Sequence, residues 1–330
     1  MEDLPGTPPD VALPAGTRLG RLVRVDRTAY DVQTTEGRVR LPADPRLDAT
    51  VGDWLAVTET DVVALLPRTS LLSRGAASGT SRPQPLAANV DVVLVCSSLG
   101  ATLPLRRIER LLTLAWDSGA TPVLVLTKAD LARDPAAAVR DVQPHAPSVE
   151  IVTVSAATGD VAQLAGYTGP GRTLVLLGTS GCGKSTLVNA LAGREVMATS
   201  DARHVDGKGR HTTTHRELVV LPDGTVVIDT PGLRGVAVTG SSEALDKAFV
   251  DVEQLALACR FADCAHAGEP GCAVQSSIDA GDLSAARMDS WRHLQRELAF
   301  QTRRTDLRLR AAERAKWKTR AREQRQRYRP

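Results

Sequence analysis

The stretch Gly178-Thr179-Ser180-Gly181-Cys182-Gly183-Lys184-Ser185-Thr186 decides the fold class of this chain. It fits the pattern G-x-x-x-x-G-K-[ST], with an apolar run at 173–177 before it and a helical pattern at 184–192 after it. Its glycines let successive backbone N–H groups turn toward phosphate oxygens, and the start of the following helix adds partial positive charge. We expect Lys184 to reach the β- and γ-phosphates and the Ser185 hydroxyl to ligate Mg²⁺. The alternative is a Gly-rich turn that binds nothing, which the flanking strand and helix disfavour.

Two segments after this loop are typical of a site that senses the γ-phosphate. Asp229-Thr230-Pro231-Gly232 follows an apolar run, and an acidic residue at a strand end beside a phosphate loop holds Mg²⁺, usually through water. Gly232 leaves room for its backbone N–H to approach the γ-phosphate. The polar, Gly-rich loop 207–215 lies between the two motifs and suits a segment that orders on nucleotide. One of its threonines is expected to offer a hydroxyl to Mg²⁺, and Thr213 is our choice. The alternatives are Thr212 and Thr214.

Two segments before the phosphate loop resemble guanine-binding motifs. Thr127-Lys128-Ala129-Asp130 is similar to N-K-x-D: the Asp130 carboxylate would accept from guanine N1–H and N2–H₂, which adenine does not offer, and the Lys128 stem would pack on the base. Thr127 replaces the usual Asn, so one polar contact around the base is altered. Ser155-Ala156 follows the next apolar run and is similar to the second base loop, where a backbone N–H reaches guanine O6.

The order of these motifs is unusual, because the base motifs precede the phosphate motifs. We interpret this as a circular permutation, which is physically inexpensive since domain termini often lie close together. Leu233 stands where Ras-like GTPases carry a Gln that orients the attacking water, so intrinsic hydrolysis should be slow. His211 and His215 of the 207–215 loop are candidates to substitute for it. The alternative is that either histidine only makes a hydrogen bond within the loop.

A second candidate site is the pattern Cys259-x4-Cys264-x-His266-x5-Cys272. Three thiolates and an imidazole are a set of ligands for structural Zn²⁺, and four ligands leave no open position for a substrate. Disulfides are the rival interpretation, which a cytosolic location and an odd number of cysteines disfavour. The metal would fold a segment too small to build its own core.

The segment before these motifs predicts a separate small domain. Five short β-type runs with turn formers between them fit a barrel of the OB type. Six Arg against three acids in 18–40 leave phosphate contact open there, and a domain that serves only for packing is an equally good interpretation.

The rest of the chain divides into further segments. Residues 1–15 have the composition of a loose Pro-rich lead, and residues 75–85 have that of a linker. From there strands alternate with helices, which predicts a mostly parallel sheet covered on both faces. After about residue 241 the pattern is helical.

Composition and charge exclude several classes of protein. Of the 330 residues 42% are hydrophobic and 24% are charged, values that exclude wholesale disorder, and no apolar run approaches the length of a membrane span. The beginning of the chain lacks the pattern of a secretion signal, so we expect a cytoplasmic protein without a membrane partner.

The charge is unevenly distributed along the chain. Residues 301–330 hold 12 basic and three acidic side chains, whereas the other 300 residues hold 29 basic and 35 acidic ones. Such a basic tail favours a polyanion such as RNA, and a solvated helix is the alternative.

Taken together, these motifs resemble those of the bacterial ribosome small-subunit-dependent GTPases, the RsgA/YjeQ type of circularly permuted GTPase. The resemblance extends over nearly the whole chain and includes the stretches 66–74, 209–214, 229–233 and 259–266. It implies an OB-like barrel with its lead in residues 1–72, a permuted α/β GTPase domain in 73–240, and an α-helical zinc-binding domain with the basic tail in 241–330.

The resemblance also implies an activity and its partners. The expected reaction is hydrolysis of GTP to GDP, stimulated by the small ribosomal subunit and its rRNA, during late maturation of that subunit. Lys184, His211 and Thr213 are the expected catalytic residues, with one structural Zn²⁺ and with Mg²⁺ bound alongside GTP. We expect a monomer. The rival is an RNA-binding scaffold whose GTP site only switches conformation, and a third interpretation is an ATPase.

Overall fold

The computed structural model describes residues 4–75, 83–197, 216–229 and 241–305. Within these residues the chain forms a barrel-like antiparallel sheet, a largely parallel sheet with helices on both faces, and a group of C-terminal helices. The order along the chain is the one that the sequence predicts. None of the described helices combines the length and the apolar character that crossing a bilayer demands.

The barrel-like sheet contains five strands, one for each predicted run. They are β1 (Arg18–Val25), β2 (Ala29–Thr34), β3 (Gly37–Pro42), β4 (Trp54–Val57) and β5 (Val62–Leu65). β1 lies at the centre, antiparallel to both β2 and β4. Because successive side chains of a strand point to opposite faces, every second residue of β2 is buried, and Tyr30 and Val32 fill the interior together with Leu22. Both aromatic residues of this region, Tyr30 and Trp54, are therefore buried.

The second part is a sheet whose strands lie in the order β10-β9-β8-β11-β13-β12. Its strands are β8 (Val92–Ser98), β9 (Thr121–Thr127), β10 (Glu150–Thr153), β11 (Thr173–Gly178), β12 (Glu217–Val220) and β13 (Val226–Asp229). The first five in spatial order are parallel, and β12 is antiparallel to β13. Helices α1 (Leu105–Asp117) and α3 (Lys184–Ala192) contribute to the apolar clusters on opposite faces, and α2 (Pro135–Val142) follows β9. Since both faces are covered, the central strands are apolar throughout.

The C-terminal part consists of helices around their own apolar core. They are α4 (Ser242–Ala248), α5 (Val250–Leu257), α6 (Ala273–Ala280) and α7 (Ala285–Thr305). Ser241 is the N-cap of α4, where its hydroxyl accepts from the Ala244 N–H. On α7, the apolar positions Met288, Trp291 and Leu294 face this core, at the spacing of one helix face.

The structure differs from the sequence-based expectation in two connecting segments. The predicted linker 75–85 extends too far at its end: Gln84 and Pro85 belong to strand β7 (Gln84–Ala88), which pairs antiparallel with β6 (Leu71–Arg74), and residues 76–82 lie outside the described residues. The described part of the N-terminal lead is packed on the barrel, where Leu4 and Leu13 contact the cluster of Trp54 and Leu66, and the Thr7 hydroxyl donates to the Gly171 carbonyl 3.3 Å away. Turn-forming and Pro-rich composition indicates that regular structure is absent or interrupted, and it does not report long-range packing.

The barrel-like sheet and the parallel sheet are joined into one sheet of 11 strands. The joint is β12, which pairs antiparallel with β13 on one side and with β1 on the other, through Arg24 opposite Glu217. Periodicity identifies each strand alone, so the sequence does not predict this pairing.

Candidate functional site

The predicted nucleotide-binding segments meet at one edge of the parallel sheet. Strands β8, β9, β10, β11 and β13 run in the same direction, so their carboxyl ends share that edge. The loops after β9 and β10 are the two predicted base loops, the loop after β11 is the phosphate loop, and β13 ends at Asp229. In an open α/β sheet this edge is where ligands bind.

The phosphate loop has glycine where other residues would not fit. At Gly178, where φ is +150°, an added Cβ would lie 2.4 Å from the Cys96 carbonyl oxygen and 2.8 Å from Cys182 Sγ. Lys184 Nζ donates to the carbonyl oxygens of Gly178 at 3.1 Å and Thr179 at 2.8 Å. The loop therefore wraps around the ammonium group, which lies at the first turn of α3.

The first base loop is tied to the phosphate loop by a hydrogen bond. The Thr127 hydroxyl donates to the Cys182 carbonyl oxygen at 2.5 Å, between residues 55 positions apart in the chain. The Ser97 carbonyl lies 3.3 Å from the same hydroxyl, so the single proton goes to the closer acceptor. Thr127 is 3% exposed, and it thus makes a buried contact between the two loops.

The carboxylate predicted to read guanine is held by the second base loop. The Ser155 hydroxyl donates to Asp130 Oδ1 at 2.5 Å, while the Ser155 backbone N–H donates to Asp160. Asp130 is exposed, so its other oxygen is accessible to a ligand. The backbone N–H of Ala156 has no acceptor among the described residues, which leaves it available to a base oxygen. Sequence reasoning missed the role of the Ser155 hydroxyl, because only the fold brings it beside Asp130.

The residues proposed to hold Mg²⁺ come from the same edge. Ser185 lies in the first turn of α3, and Asp229 ends β13, whose Ile228 is opposite Val175 of β11. A hydroxyl and a carboxylate are hard oxygen donors and fit this ion. Other candidates lie outside the residues that the structure describes: Thr212, Thr213, Thr214, His211, His215, Gly232 and Leu233.

An asparagine that the sequence analysis did not single out holds the chain before the 207–215 loop. Asn189 Oδ1 accepts from the N–H groups of Val196 and Met197 at 2.9 and 2.8 Å, and its Nδ2 donates to the Met197 carbonyl. The segment leaving α3 is thereby fixed up to residue 197. An asparagine in a helix gives no signal of such a contact from its neighbours in sequence.

The Cys/His pattern forms a compact cluster. One ligand atom from each of four residues lies within 4.8 Å of all the others, and the residues are Cys259, Cys264, His266 and Cys272. His266 contributes Nδ1, which lies 3.5 Å from Cys259 Sγ and 3.6 Å from Cys272 Sγ. Three sulfur donors and one imidazole nitrogen at this separation fit a tetrahedral metal ion such as Zn²⁺.

The surroundings of the cluster order its ligands. Glu269 accepts from the N–H groups of Ala265 at 3.0 Å and Ala267 at 2.7 Å, and these residues flank His266. Such N–H donors, those of Glu269 itself and Ala267 first, hold the pKa of the Glu269 carboxyl below its ordinary value. Burial lowers the pKa of His266, which keeps the imidazole neutral as a metal ligand must be, and burial raises the pKa of the Cys264 thiol to about 11. A bound cation would reverse the effect on the thiol.

Comparison with known proteins agrees with this geometry. The family model described as RsgA GTPase matches residues 65–239. A protein of Streptomyces avermitilis named small ribosomal subunit biogenesis GTPase RsgA is 48% identical over 316 residues, which cover 92% of this chain and 85% of that protein. A protein of the same name from Xanthomonas axonopodis pv. citri is 44% identical over 304 residues, or 87% and 81% of the two chains.

Solved structures show the same fold. The crystal structure of YjeQ from Thermotoga maritima matches with a TM-score of 0.63 at 26% identity and covers 86% of this chain and 99% of that one. The structure of YloQ, described as a circularly permuted GTPase, matches with a TM-score of 0.60 and supports the fold alone. Motif order, strand order and sequence identity agree, and the chain belongs to the RsgA family of circularly permuted GTPases.

Proposed function

We propose that this protein hydrolyses GTP as a factor in the biogenesis of the small ribosomal subunit and that it binds this subunit while doing so. The observation that carries the nucleotide part is the hydrogen bond from Thr127 to Cys182, which brings a base loop and a phosphate loop into one site despite their inverted order. The names of the relatives support the ribosomal part.

The roles of the site residues follow from their positions and chemistry. Asp130 accepts from the guanine N1–H and N2–H₂ groups, and the stem of Lys128 packs on the base. Lys184 and the backbone N–H groups of 178–186 neutralise the phosphate oxygens on which charge develops in the transition state. Ser185, Thr213 and Asp229 are the proposed magnesium ligands, and Mg²⁺ when bound neutralises charge on the β- and γ-phosphates. His211 is the proposed residue that promotes attack by water.

The slow step should be the positioning of the attacking water. Leu233 occupies the position at which a Gln orients this water in Ras-like GTPases, and an aliphatic side chain has no hydrogen-bonding group. We infer that the subunit completes the site by fixing the 207–215 loop with His211, so that turnover is coupled to docking.

The parts outside the nucleotide site are proposed to serve docking. We propose three domains, an OB-fold in 1–72, the GTPase domain in 73–240 and a zinc-binding domain in 241–330. Zn²⁺ held by Cys259, Cys264, His266 and Cys272 would stabilise the last of these. The basic segment 301–330 would contact rRNA phosphates. The protein would act as a monomer in the cytoplasm, where subunits are assembled.

Turnover measured with and without purified small subunits tests the proposed function. We expect a many-fold increase in GTP hydrolysis as subunits are titrated in, saturating at a stoichiometric ratio. The rival scaffold, in which GTP only switches conformation, predicts binding to the subunit without an increase in turnover, and that result would overturn the proposed role.

Replacing Asp130 by Asn tests the guanine site. The Asn amide offers a donor where the carboxylate accepted, so affinity for GTP should fall while affinity for xanthosine triphosphate, which carries a carbonyl at C2, should rise. Each bidentate contact of this kind is worth about 1–3 kcal/mol, or about 5- to 100-fold in affinity. The matched control is Asp141→Asn, an exposed position on α2. An unchanged base preference in Asp130→Asn would favour the ATPase alternative.

A further inference from the structure

The loop between the proposed metal ligands Cys259 and Cys264 exposes the aromatic ring of Phe261. Phe261 is 44% exposed, and Leu257 at the end of α5 is 88% exposed. Single exposed apolar side chains are common on protein surfaces, so exposure alone decides nothing. What distinguishes this place is the residue beside the ring.

Arg260 is held over the Phe261 ring. Its guanidinium carbon lies 5.4 Å from the ring centroid, within the range of a cation–π contact. Its backbone N–H donates to the Gly271 carbonyl at 3.0 Å, and its stem passes so close to Gly271 that an added Cβ there would lie 3.0 Å from the Arg260 Cβ. The position of Arg260 is therefore set by the loop that also supplies Cys272.

Within the part of the chain that the structure describes, the charge of Arg260 has no acidic partner. No carboxylate of the described residues lies within ion-pair distance of its guanidinium group. The loop therefore presents a planar ring and an unpaired cation next to each other. The pair lies between Cys259 and Cys264, two of the four residues proposed to hold a metal ion.

A nucleotide of single-stranded RNA offers groups that match both features. Its base has a face that stacks on an aromatic ring, and its phosphate carries the charge that a guanidinium binds. A docked protein is the less suitable partner, since a stable protein interface buries about 800 Å² on each side around an apolar centre. Here the neighbouring positions Ala262, Asp263 and Ala265 are exposed and are small or charged.

We propose that Arg260 and Phe261 form a contact site for an unpaired base of the RNA of the small ribosomal subunit. This inference rests on the proposed function, and it gives the metal cluster a role in recognition as well as in folding. The ring stacks on the base and the guanidinium binds a neighbouring phosphate. The basic segment 301–330 of the same domain adds electrostatic attraction that does not depend on sequence.

Binding of variants to purified small subunits, with a non-hydrolysable GTP analogue present, tests this site. Phe261→Ala should weaken binding about 5- to 100-fold, the range of base–aromatic stacking. Phe261→Leu is the deciding variant, because it keeps an apolar side chain and removes the ring. We expect Phe261→Leu to bind nearly as weakly as Phe261→Ala, and Phe261→Trp to bind within about threefold of the original protein. Arg260→Gln should reduce the slope of log affinity against log salt by about 1.

Two controls separate the possible failures. Metal content and basal GTP hydrolysis should be unchanged in all four variants, since neither side chain touches the nucleotide site. A photo-crosslinking benzophenone side chain in place of Phe261 should crosslink to RNA; crosslinks to subunit proteins alone would overturn the proposal. If the original protein binds and is stimulated while Phe261→Leu binds equally well, only this site is refuted. If the original protein does not bind the subunit at all, the proposed function falls as well.

Discussion

At the scale of single residues, the nucleotide site depends on hydroxyl groups that hold its loops in place. Thr127 donates to the phosphate loop and Ser155 to the Asp130 carboxylate that is proposed to read guanine, both at 2.5 Å. Thr127, which stands where the base motif usually has Asn, therefore still makes a polar contact at that position, with a hydroxyl in place of an amide. A short hydroxyl can serve there because the Cys182 carbonyl comes close to the β9 strand end.

Replacing Thr127 by Val should weaken nucleotide binding. Val has the shape of Thr without the hydroxyl, so the buried Cys182 carbonyl would lose its donor, at a cost of about 1–3 kcal/mol. We expect a fluorescent GDP analogue to dissociate about 5- to 100-fold faster, as measured by stopped flow. Thr127→Ser, which retains the hydroxyl, is the matched control and should stay close to the original rate. Equal rates for the two variants would show that the hydrogen bond does not hold the loops.

At the scale of elements, the loop that carries the proposed metal ligands is organised by Glu269, which is not one of those ligands. Glu269 bonds the N–H groups on both sides of His266, whose backbone has a φ of +56°. A non-glycine residue rarely adopts this left-handed conformation, so the loop must be held in it. The carboxylate of Glu269 provides that constraint.

Removing the Glu269 side chain should weaken metal binding without removing a ligand. Groups that orient metal ligands typically contribute 10- to 100-fold to affinity, and we expect a loss in this range for Glu269→Ala. Competition with a chromophoric zinc chelator measures it, and Glu269→Gln should lose less because its amide oxygen still accepts a hydrogen bond. Glu243→Ala, at an exposed position of α4, is the control. An unchanged affinity in Glu269→Ala would mean that the ligands order the loop alone.

The elements themselves could be predicted largely from sequence, and their partners could not. Helix α3 has the predicted limits 184–192, and each strand of the barrel-like sheet corresponds to one of the five predicted β-type runs. Local composition carried this information, as it did for the phosphate loop and the Cys/His pattern. The β6–β7 hairpin, the pairing of β12 with β1 and the contacts of Asn189 arise from residues distant in sequence, which periodicity does not register.

At the scale of the whole molecule, two joints connect the parts, and each contains a buried arginine. The barrel-like sheet meets the parallel sheet through the strand pairing of Arg24 with Glu217 and through Arg21, whose buried guanidinium donates to the Asn89 carbonyl at 3.2 Å and to the Thr173 hydroxyl at 3.3 Å. The C-terminal helices meet α1 through a buried charged group, Arg287. We infer that these helices are firmly attached to the GTPase domain through this joint.

Arg287 uses all of its hydrogen-bonding capacity in this joint. Its five N–H donors bond Asp251 twice, Ala248, the His145 carbonyl and Glu109, at 2.7–3.1 Å. The side chains of Arg287 and Glu109 are 2% and 1% exposed, and the guanidinium lies 4.1 Å from the Phe249 ring. The group connects α1, the segment after α2, and helices α4, α5 and α7.

Replacing Arg287 by Met should therefore separate the domains as well as destabilise the protein. Met fills much of the volume but leaves the Glu109 carboxylate buried without its cation, at a cost of about 3–5 kcal/mol. Chemical denaturation should show this loss, and hydrogen exchange should rise in α1 and α7 together. Arg296→Met, an exposed position on the same helix, is the control and should change stability by less than about 0.5 kcal/mol. In the double variant Arg287→Met/Glu109→Gln the loss of stability should be smaller than in Arg287→Met. The uncharged amide at position 109 leaves no buried charge without its cation. Equal losses in the single and double variants would show that the joint is maintained by apolar packing and that its charges contribute nothing to it.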